Sequence, residues 1–377
     1  MELAIQITQK QSDFCMECGV CTGSCPVARE LPGFSPRQMI KRAMVDPEDG
    51  LIKSPEIWAC LSCALCSSRC PVEIDFPEFI RSKREMARKA GNLPHESHHG
   101  MLQTVARLQT GNIKQNRTEW AKGAGRFKET GDYFYFVGCL PYFDITFSGL
   151  NFSSLDSARS VLGLLNRMGV EPVISENERC CGHDALWSGD EETFRKLGEI
   201  NLEIIKSSGA KTVLFSCPEG YHTFKNNYPK YFGELPFEVL HMTEFLDREL
   251  PNSGLSFKSP SDGTVTFQDP CRLGRLSNNY DLPRNLLSMI PEIEFKEMAR
   301  NKENALCCGT SAWMECSGCS KNMQTARLQE ALQTGAQTMI TACPKCQTHF
   351  ICTGNSEAMD IKIVDLYTYL NDNLNGD

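Results

Sequence analysis

Cysteine is the residue type here that could do chemistry, and its spacing says which chemistry. Cys15, Cys18, Cys21 and Cys25 form a Cys-x2-Cys-x2-Cys-x3-Cys run closed by Pro26, and Cys60, Cys63, Cys66 and Cys70 repeat it, closed by Pro71. Three thiolates spaced by two residues wrap three corners of one [4Fe–4S] cube, and the fourth, followed by proline, leaves toward a second cube. By that rule Cys15, Cys18, Cys21 and Cys70 hold one cluster, while Cys60, Cys63, Cys66 and Cys25 hold the other. Zinc does not fit: a zinc knuckle uses two Cys-x2-Cys pairs, not two four-membered runs each ending in proline.

A second group of cysteines occurs twice. Cys139, Cys180-Cys181-Gly182 and Cys217-Pro218 are followed by Cys271, Cys307-Cys308-Gly309 and Cys343-Pro344-Lys345-Cys346. The segment HMTEFL at 241–246 likewise matches DLYTYL at 365–370. The landmarks recur between 124 and 132 residues apart, which marks an internal duplication and predicts two halves related by a pseudo-twofold axis. Adjacent cysteines suit an ordinary cubane poorly, but with one cysteine upstream and Cys-Pro downstream they could embrace a larger or opened cluster. The first copy ends in Cys217-Pro218-Glu219-Gly220, with no cysteine at its last position.

The elements that must position these thiols can be read around them. Four apolar, strand-like runs end in cysteine: YFYFVGC at Cys139, KTVLFSC at Cys217, TVTFQDPC at Cys271 and TMITAC at Cys343. Helical patterns at 157–168, 191–208 and 322–334 lie between them. Strands alternating with helices predict α/β halves with mainly parallel strands, whose sites form at the strand carboxyl ends, where the cysteines sit. The expected fold is α+β overall. A helical, two-cluster ferredoxin-like domain spans 1–91, a linker 92–132, a first α/β half 133–256 and a second 257–377. The insert 27–59 between the first two cysteine runs holds a core-facing helix at 37–44. The linker, rich in Gly, Lys, Arg and Gln, reads as a surface connector, and its His95, His98 and His99 as solvated. Cys316, Cys319 and Cys352 match no position of the repeat and read as free thiols. His183, directly after Cys181-Gly182, could offer a proton or hydrogen bond to a cluster, or serve in packing.

Composition removes other classes. The chain has 377 residues, a net charge of −8 and 20 cysteines. An acidic balance argues against nucleic acid as a partner. Apolar runs stay strand-sized, short of a membrane span of roughly 20 residues, and the first residues lack a signal-peptide pattern. A large chain without an export signal favours thiolate ligands over disulfides. No GxGxxG fingerprint is present, so a flavin or nicotinamide must come from a partner. A cytoplasmic chain is expected, with peripheral attachment to the cytoplasmic membrane face through a partner as an alternative.

On these motifs the chain resembles the heterodisulfide reductase family. The duplicated halves are similar to the CCG (cysteine-rich) domains of the family's B-type chains, and the first 91 residues, with GFSPRQMI between the runs, to its C-type chains. The fused C–B order is similar to the family's D-type chains and to glycolate oxidase iron–sulfur subunits. The resemblance implies that Cys271, Cys307, Cys308, Cys343 and Cys346 hold a noncubane [4Fe–4S] cluster at a catalytic position. The first half matches only at Cys139, Cys180, Cys181 and Cys217. Three outcomes stay open there: a four-cysteine cluster, a cluster with an open iron, or an empty relic, and the retained cysteines favour the first. The implied function is that of an electron-transfer subunit, an oxidoreductase component that needs partner subunits. Its electrons come from a flavoprotein similar to the family's A-type chains or from a membrane cytochrome b, with other Fe–S redox subunits as partners. Two alternatives remain: a catalytic disulfide reductase subunit, or the Fe–S subunit of a 2-hydroxy-acid or quinone oxidoreductase.

Overall fold

The structure is a computed structural model that describes residues 14–46, 50–260 and 263–375. The opening residues read above for a leader lie outside the described residues. In the N-terminal module, short helices Val20–Ser24, Pro26–Glu30, Pro36–Val45 and Glu56–Ala59 frame the two cysteine loops. Each loop turns by the same device. The second and fourth residues after its first cysteine have positive φ, at Glu17 and Gly19 in one loop and at Ser62 and Ala64 in the other. Left-handed residues at that spacing fold successive cysteines around one centre. Cys25 caps a helix with Pro26 in its first turn, where proline lacks only an N–H the helix does not use. Cys70 instead leads through a turn, and its helix starts only at Phe76.

That helix, Phe76–Lys89, is capped by Asp75, whose Oδ1 accepts from the Glu78 N–H at 3.1 Å. Its sequence, FPEFIRSKREMARK, is highly charged, yet most of it is buried between the N-terminal module and the first α/β half. Some of the charges are matched within the helix, Arg81 with Glu78 at 2.5 Å and Lys89 with Glu85 at 2.6 Å, while Arg84 turns to backbone carbonyls outside it.

Each half is a parallel sheet. The first has β1 (Tyr133–Phe136), β2 (Thr212–Phe215) and β3 (Glu238–His241) in the order β1-β2-β3. The second has β4 (Thr264–Gln268), β5 (Glu294–Phe295), β6 (Thr338–Thr341) and β7 (Lys362–Asp365) in the order β5-β4-β6-β7. The carboxyl-end rung is Phe136–Phe215–His241 in one sheet and Gln268–Thr341–Asp365 in the other. Each rung ends in a side chain that caps the next helix: His241 accepts from the Thr243 N–H, and Asp365 from the Tyr367 N–H. β3 and β7 are short edge strands that precede the HMTEFL and DLYTYL segments. The helices between strands, Leu155–Arg167, Glu191–Ser208 and Gly318–Gln333, lie where the periodicity puts them.

The halves interlock. Helix Leu155–Arg167 of the first packs on Leu366–Asp372 of the second, and Met242–Glu249 of the first on Leu282–Ser288 of the second. Leu162, Leu246, Phe267 and Leu370 therefore share one core. The segment 92–132 is more than a surface connector. Trp120 and Ala121 enter that shared core, and Gln103 Nε2 donates to the Ala312 and Trp313 carbonyls. The physical reason is that its few apolar and amide groups find partners on both halves, which low apolar periodicity conceals. His95, His98 and His99 are exposed, with His98 edge-on to Phe147 and Trp313.

Gly189 marks the tightest contact between modules. Its φ is +79°, and an added Cβ would lie 2.6 Å from backbone atoms of Arg84 and Glu85. Gly189→Ala is expected to destabilise the chain by at least ~1–3 kcal/mol, the cost of a strained backbone conformation. A lowered denaturant midpoint checks this; an unchanged midpoint would show that the helix does not sit there.

Candidate metal centres

The thiols gather into four sets, and all 20 cysteines are free. Cys15, Cys18, Cys21 and Cys70 line one pocket, and Cys25, Cys60 and Cys63 line a second; Cys66 borders both. Cys25 and Cys70 thus cross between the runs. Cys18 is exposed, whereas Cys25, Cys60, Cys63 and Cys66 are buried. Burial, with Cys63 and Cys60 close by, pushes the Cys25 thiol up to about 12. Cys63 goes the other way, to about 5, because it is hydrogen-bonded with Cys307 and faces the guanidinium groups of Arg275 and Arg272. Iron and zinc bind thiolate, so a set of unpaired cysteines with some thiols held low fits a metal cluster.

In the first α/β half, Cys139, Cys180, Cys181 and Cys217 line one pocket. Cys139 Sγ donates to Cys180 Sγ at 3.5 Å. The contacts with Cys139 and Cys181 hold the Cys180 thiol well below its ordinary value. The loops are fixed from beneath. The buried Glu178 carboxylate accepts from the Val137 and Gly138 N–H groups at 3.1 and 2.7 Å and from Arg117 Nη2 at 2.6 Å, and Arg117 also donates to the Gly138 carbonyl. Asn201 accepts from the Arg179 N–H and donates to the Cys180 carbonyl, while Gln109 Oε1 accepts from the Cys180 N–H. In the second half, Cys271, Cys307, Cys308, Cys346 and Cys343 form one chain of thiol contacts. Cys271 and Cys308 are held low by it, and Gln324 donates to the Cys308 carbonyl.

The sets adjoin. Cys63 meets Cys307, and Cys217 has Cys343 as a neighbour, which together with burial pushes its thiol well up. Three arginines bind the modules together. Arg272 donates to the Ser62 carbonyl at 2.7 Å and Oγ at 2.9 Å, and stacks 4.2 Å from the Trp187 ring. Arg275 donates to the Cys63 and Ala305 carbonyls, both at 2.7 Å. Arg84 donates to the carbonyls of Ile57, Cys60 and Trp187 at 2.9, 2.5 and 2.9 Å.

A buried ion cluster joins the two halves. Lys345 Nζ lies 2.6 Å from both Asp184 Oδ1 and Glu219 Oε2. Burial pushes the Glu219 carboxyl up, but Lys345 and His183 outweigh it and hold it well below its ordinary value. Burial likewise opposes the Lys345 charge, which the two carboxylates restore. Asp184 is only partly compensated and stays raised. His183 bonds Thr223 Oγ1 at 3.0 Å and lies 3.4 Å from Glu219, so it packs within this cluster. His183, Asp184 and Glu219 bring ligand-type atoms within 4.8 Å of one another, but Lys345 already occupies both carboxylates.

The buried arginines and Lys345 escaped sequence reading, because nothing in a single charged residue marks it as buried. One signal was available: Glu219 and Lys345 both stand two residues after the Cys-Pro cysteine of their repeat, with opposite charges. Cys316, Cys319 and Cys352 lie outside the four sets, with Cys316 and Cys352 near one another.

Comparison with known proteins agrees with this architecture. The 4Fe-4S dicluster domain family matches residues 11–74, and the CCG family, described as a cysteine-rich domain, matches 133–225 and 265–351. The chain thus carries a 4Fe-4S dicluster domain followed by two CCG domains, and it is an electron-transfer component of the iron–sulfur oxidoreductase kind. It is 28% identical to the D-type chain of the dihydromethanophenazine:CoB–CoM heterodisulfide reductase of Methanosarcina barkeri, over 94% of this chain and 92% of that one. It is 31% identical to the same-named chain of Methanosarcina acetivorans, over 67% of this chain and 61% of the relative's length, which is less than two thirds of it. It is 28% identical to "EtfAB:quinone oxidoreductase" of Syntrophomonas wolfei over 72% of this chain and 39% of that one. A crystal structure of a hypothetical protein from Helicobacter pylori shares the fold at 14% identity, with a TM-score of 0.52, over 91% of this chain and 67% of the other. Among the described residues, no helix is long and apolar enough to cross a membrane.

Lys345→Met is expected to cost ~3–5 kcal/mol, since it strands two buried carboxylates. Adding Asp184→Asn and Glu219→Gln should recover much of the loss. Unfolding midpoints of the single and triple variants check this; equal losses in both would refute a mutual ion pair.

Proposed function

We propose that the chain is the electron-carrying subunit of a heterodisulfide-reductase-like complex. In this reading Cys15, Cys18, Cys21 and Cys70 hold one [4Fe–4S] cubane, and Cys60, Cys63, Cys66 and Cys25 a second. Cys271, Cys307, Cys308, Cys343 and Cys346 hold a noncubane [4Fe–4S] group, and Cys139, Cys180, Cys181 and Cys217 a further cluster. When bound, such clusters supply one-electron carriage. The observation that carries the reading is the order in which the sets adjoin: Cys63 hydrogen-bonded with Cys307 and Cys217 neighbouring Cys343, with Cys18, exposed, at the far end. The chain's own residues hold this line, Arg272 and Arg275 by gripping the 60–66 loop from the second half. In this reading a flavoprotein or a membrane cytochrome b supplies electrons, and the chain works on the cytoplasmic side.

A relay fits better than disulfide cleavage. The walls of the two half-sites are tied to one another by Lys345, Asp184 and Glu219 at 2.6 Å contacts, with Lys345 buried. A bulky disulfide entering between the halves would have to break that cluster.

Iron and sulfide analysis of anaerobically purified protein tests the cluster count: about 16 iron atoms per chain fits four clusters and about 12 fits three. EPR of the oxidised protein with and without added thiol tests the chemistry. No thiol-dependent signal is expected, and a new one would turn the reading toward disulfide reduction.

Arg275→Met should lower the potential of the cluster beside Cys63, because reduction adds negative charge where a buried cation has been removed. At an effective dielectric constant of about 20 the change is on the order of 1–4 kcal/mol, or roughly 40–170 mV for one electron. A redox titration followed by EPR checks it; an unmoved potential would make Arg275 a purely mechanical clamp.

A further inference from the structure

The two halves differ most sharply where the fifth cysteine of the second half stands. Sheet register makes Phe215 the counterpart of Thr341: each is the middle residue of its carboxyl-end rung, two positions before the Cys-Pro cysteine. Three residues beyond that cysteine lie Gly220 and Cys346. Cys346 is buried and in contact with Cys308 and Cys343. A Cβ built on Gly220 would lie 3.9 Å from the Cβ of Cys181, the counterpart of Cys308, so position 220 still points into its site. The same Cβ would lie only 3.1 Å from Cδ1 of Phe215. The Phe215 ring is fully buried, packed 5.1 Å from Phe136 and 4.9 Å from Phe224 between ring centroids. In the second half the place of Phe136 and Phe215 is taken by Gln268 and Thr341, whose Oγ1 turns to the Gln268 carbonyl at 3.4 Å.

We infer that the first half is a closed four-thiolate cluster site, in which Gly220 deletes the fifth ligand and the Phe215 ring fills the place that ligand would need. This rests on the reading of the second half as a five-thiolate site. Of the outcomes left open by the sequence, it selects a cluster on Cys139, Cys180, Cys181 and Cys217 with no vacant ligand direction, because an aromatic ring stands where an additional ligand would approach. The two residues act together: a thiol at 220 alone meets the ring, and a smaller residue at 215 alone leaves an apolar void.

Thiol alkylation mapped by mass spectrometry tests this on the full-length, iron-loaded chain before and after iron chelation. In the wild type, Cys139, Cys180, Cys181 and Cys217 should resist alkylation until iron is removed, as should the five cysteines of the second half. In F215T/G220C the introduced thiol should join the chelation-dependent set. In G220C alone it should not change reactivity on chelation. Chelation-dependent protection in G220C alone would overturn the plug. An introduced thiol in a folded F215T/G220C that ignores chelation would overturn the ligand position. First-half cysteines indifferent to chelation in the wild type, with the second-half five still protected, would overturn this inference while sparing the reading it rests on; indifference at the second-half five would remove that reading itself. Should F215T/G220C fail to fold, the wild type and G220C still decide.

Discussion

The contact between Lys345 and the carboxylates of Glu219 and Asp184 is the constraint around which the duplicated halves are arranged. Glu219 and Lys345 occupy equivalent positions of the repeat, so the pseudo-twofold relation brings one against the other. Two identical copies would have placed like charges there, buried, which no fold of this size can tolerate without neutralising them. Opposite charges turn the same geometry into a 2.6 Å ion pair and fix the separation of Cys217 and Cys343. The exchange of helices between halves, Leu155–Arg167 onto Leu366–Asp372 and Met242–Glu249 onto Leu282–Ser288, then closes a single apolar core around that point.

Cation placement follows the same logic further out. Cysteine loops that offer several thiolates to a metal centre concentrate negative charge, and they also leave backbone carbonyls turned outward from tight, left-handed turns. A buried guanidinium answers both needs, since its fixed fork of five N–H donors can satisfy several carbonyls while its charge stays on. Arg84, Arg272 and Arg275 all bind carbonyls in or just before the 60–66 loop. Arg117 pairs with Glu178 below Cys139 instead, so its charge is taken up by a carboxylate that in turn anchors two N–H groups. The first site thus has less uncompensated positive charge in its loops than the 60–66 loop has.

Much of this was legible in the sequence, for a definable reason. Cysteine spacing, the repeat and the strand runs ending at Cys139, Cys217, Cys271 and Cys343 are local patterns, and the structure has strands at each of those runs. What stayed hidden depends on residues far apart in the chain. Nothing local in FPEFIRSKREMARK marks it as buried, and its burial shows only in distant contacts such as that of Gly189 with Arg84 and Glu85. The 92–132 segment reads as a connector because Trp120, Gln103 and Arg117 set no apolar period, yet Gln103 finds its partner in the second half, Arg117 in the first, and Trp120 in their shared core. β3 and β7 lead to no cysteine that would mark them, although the helix caps at their ends, His241 and Asp365, sit at matching places in the repeat.

The divergence of the halves is directional. Along the carboxyl-end rungs, the second half keeps polar side chains, Gln268 held by Arg327 at 2.5 Å and Thr341 on the Gln268 carbonyl, and keeps its fifth cysteine. The first half replaces them with Phe136 and Phe215 and has lost that cysteine. Fewer hydrogen-bond donors and a lower local polarity disfavour added negative charge, so equal clusters in the two halves would not have equal potentials. A duplicated pair of sites in one core can therefore differ in potential without any change in backbone topology. Lys345, reaching from the second half to Glu219 in the wall of the first, supplies a cation that works against this difference.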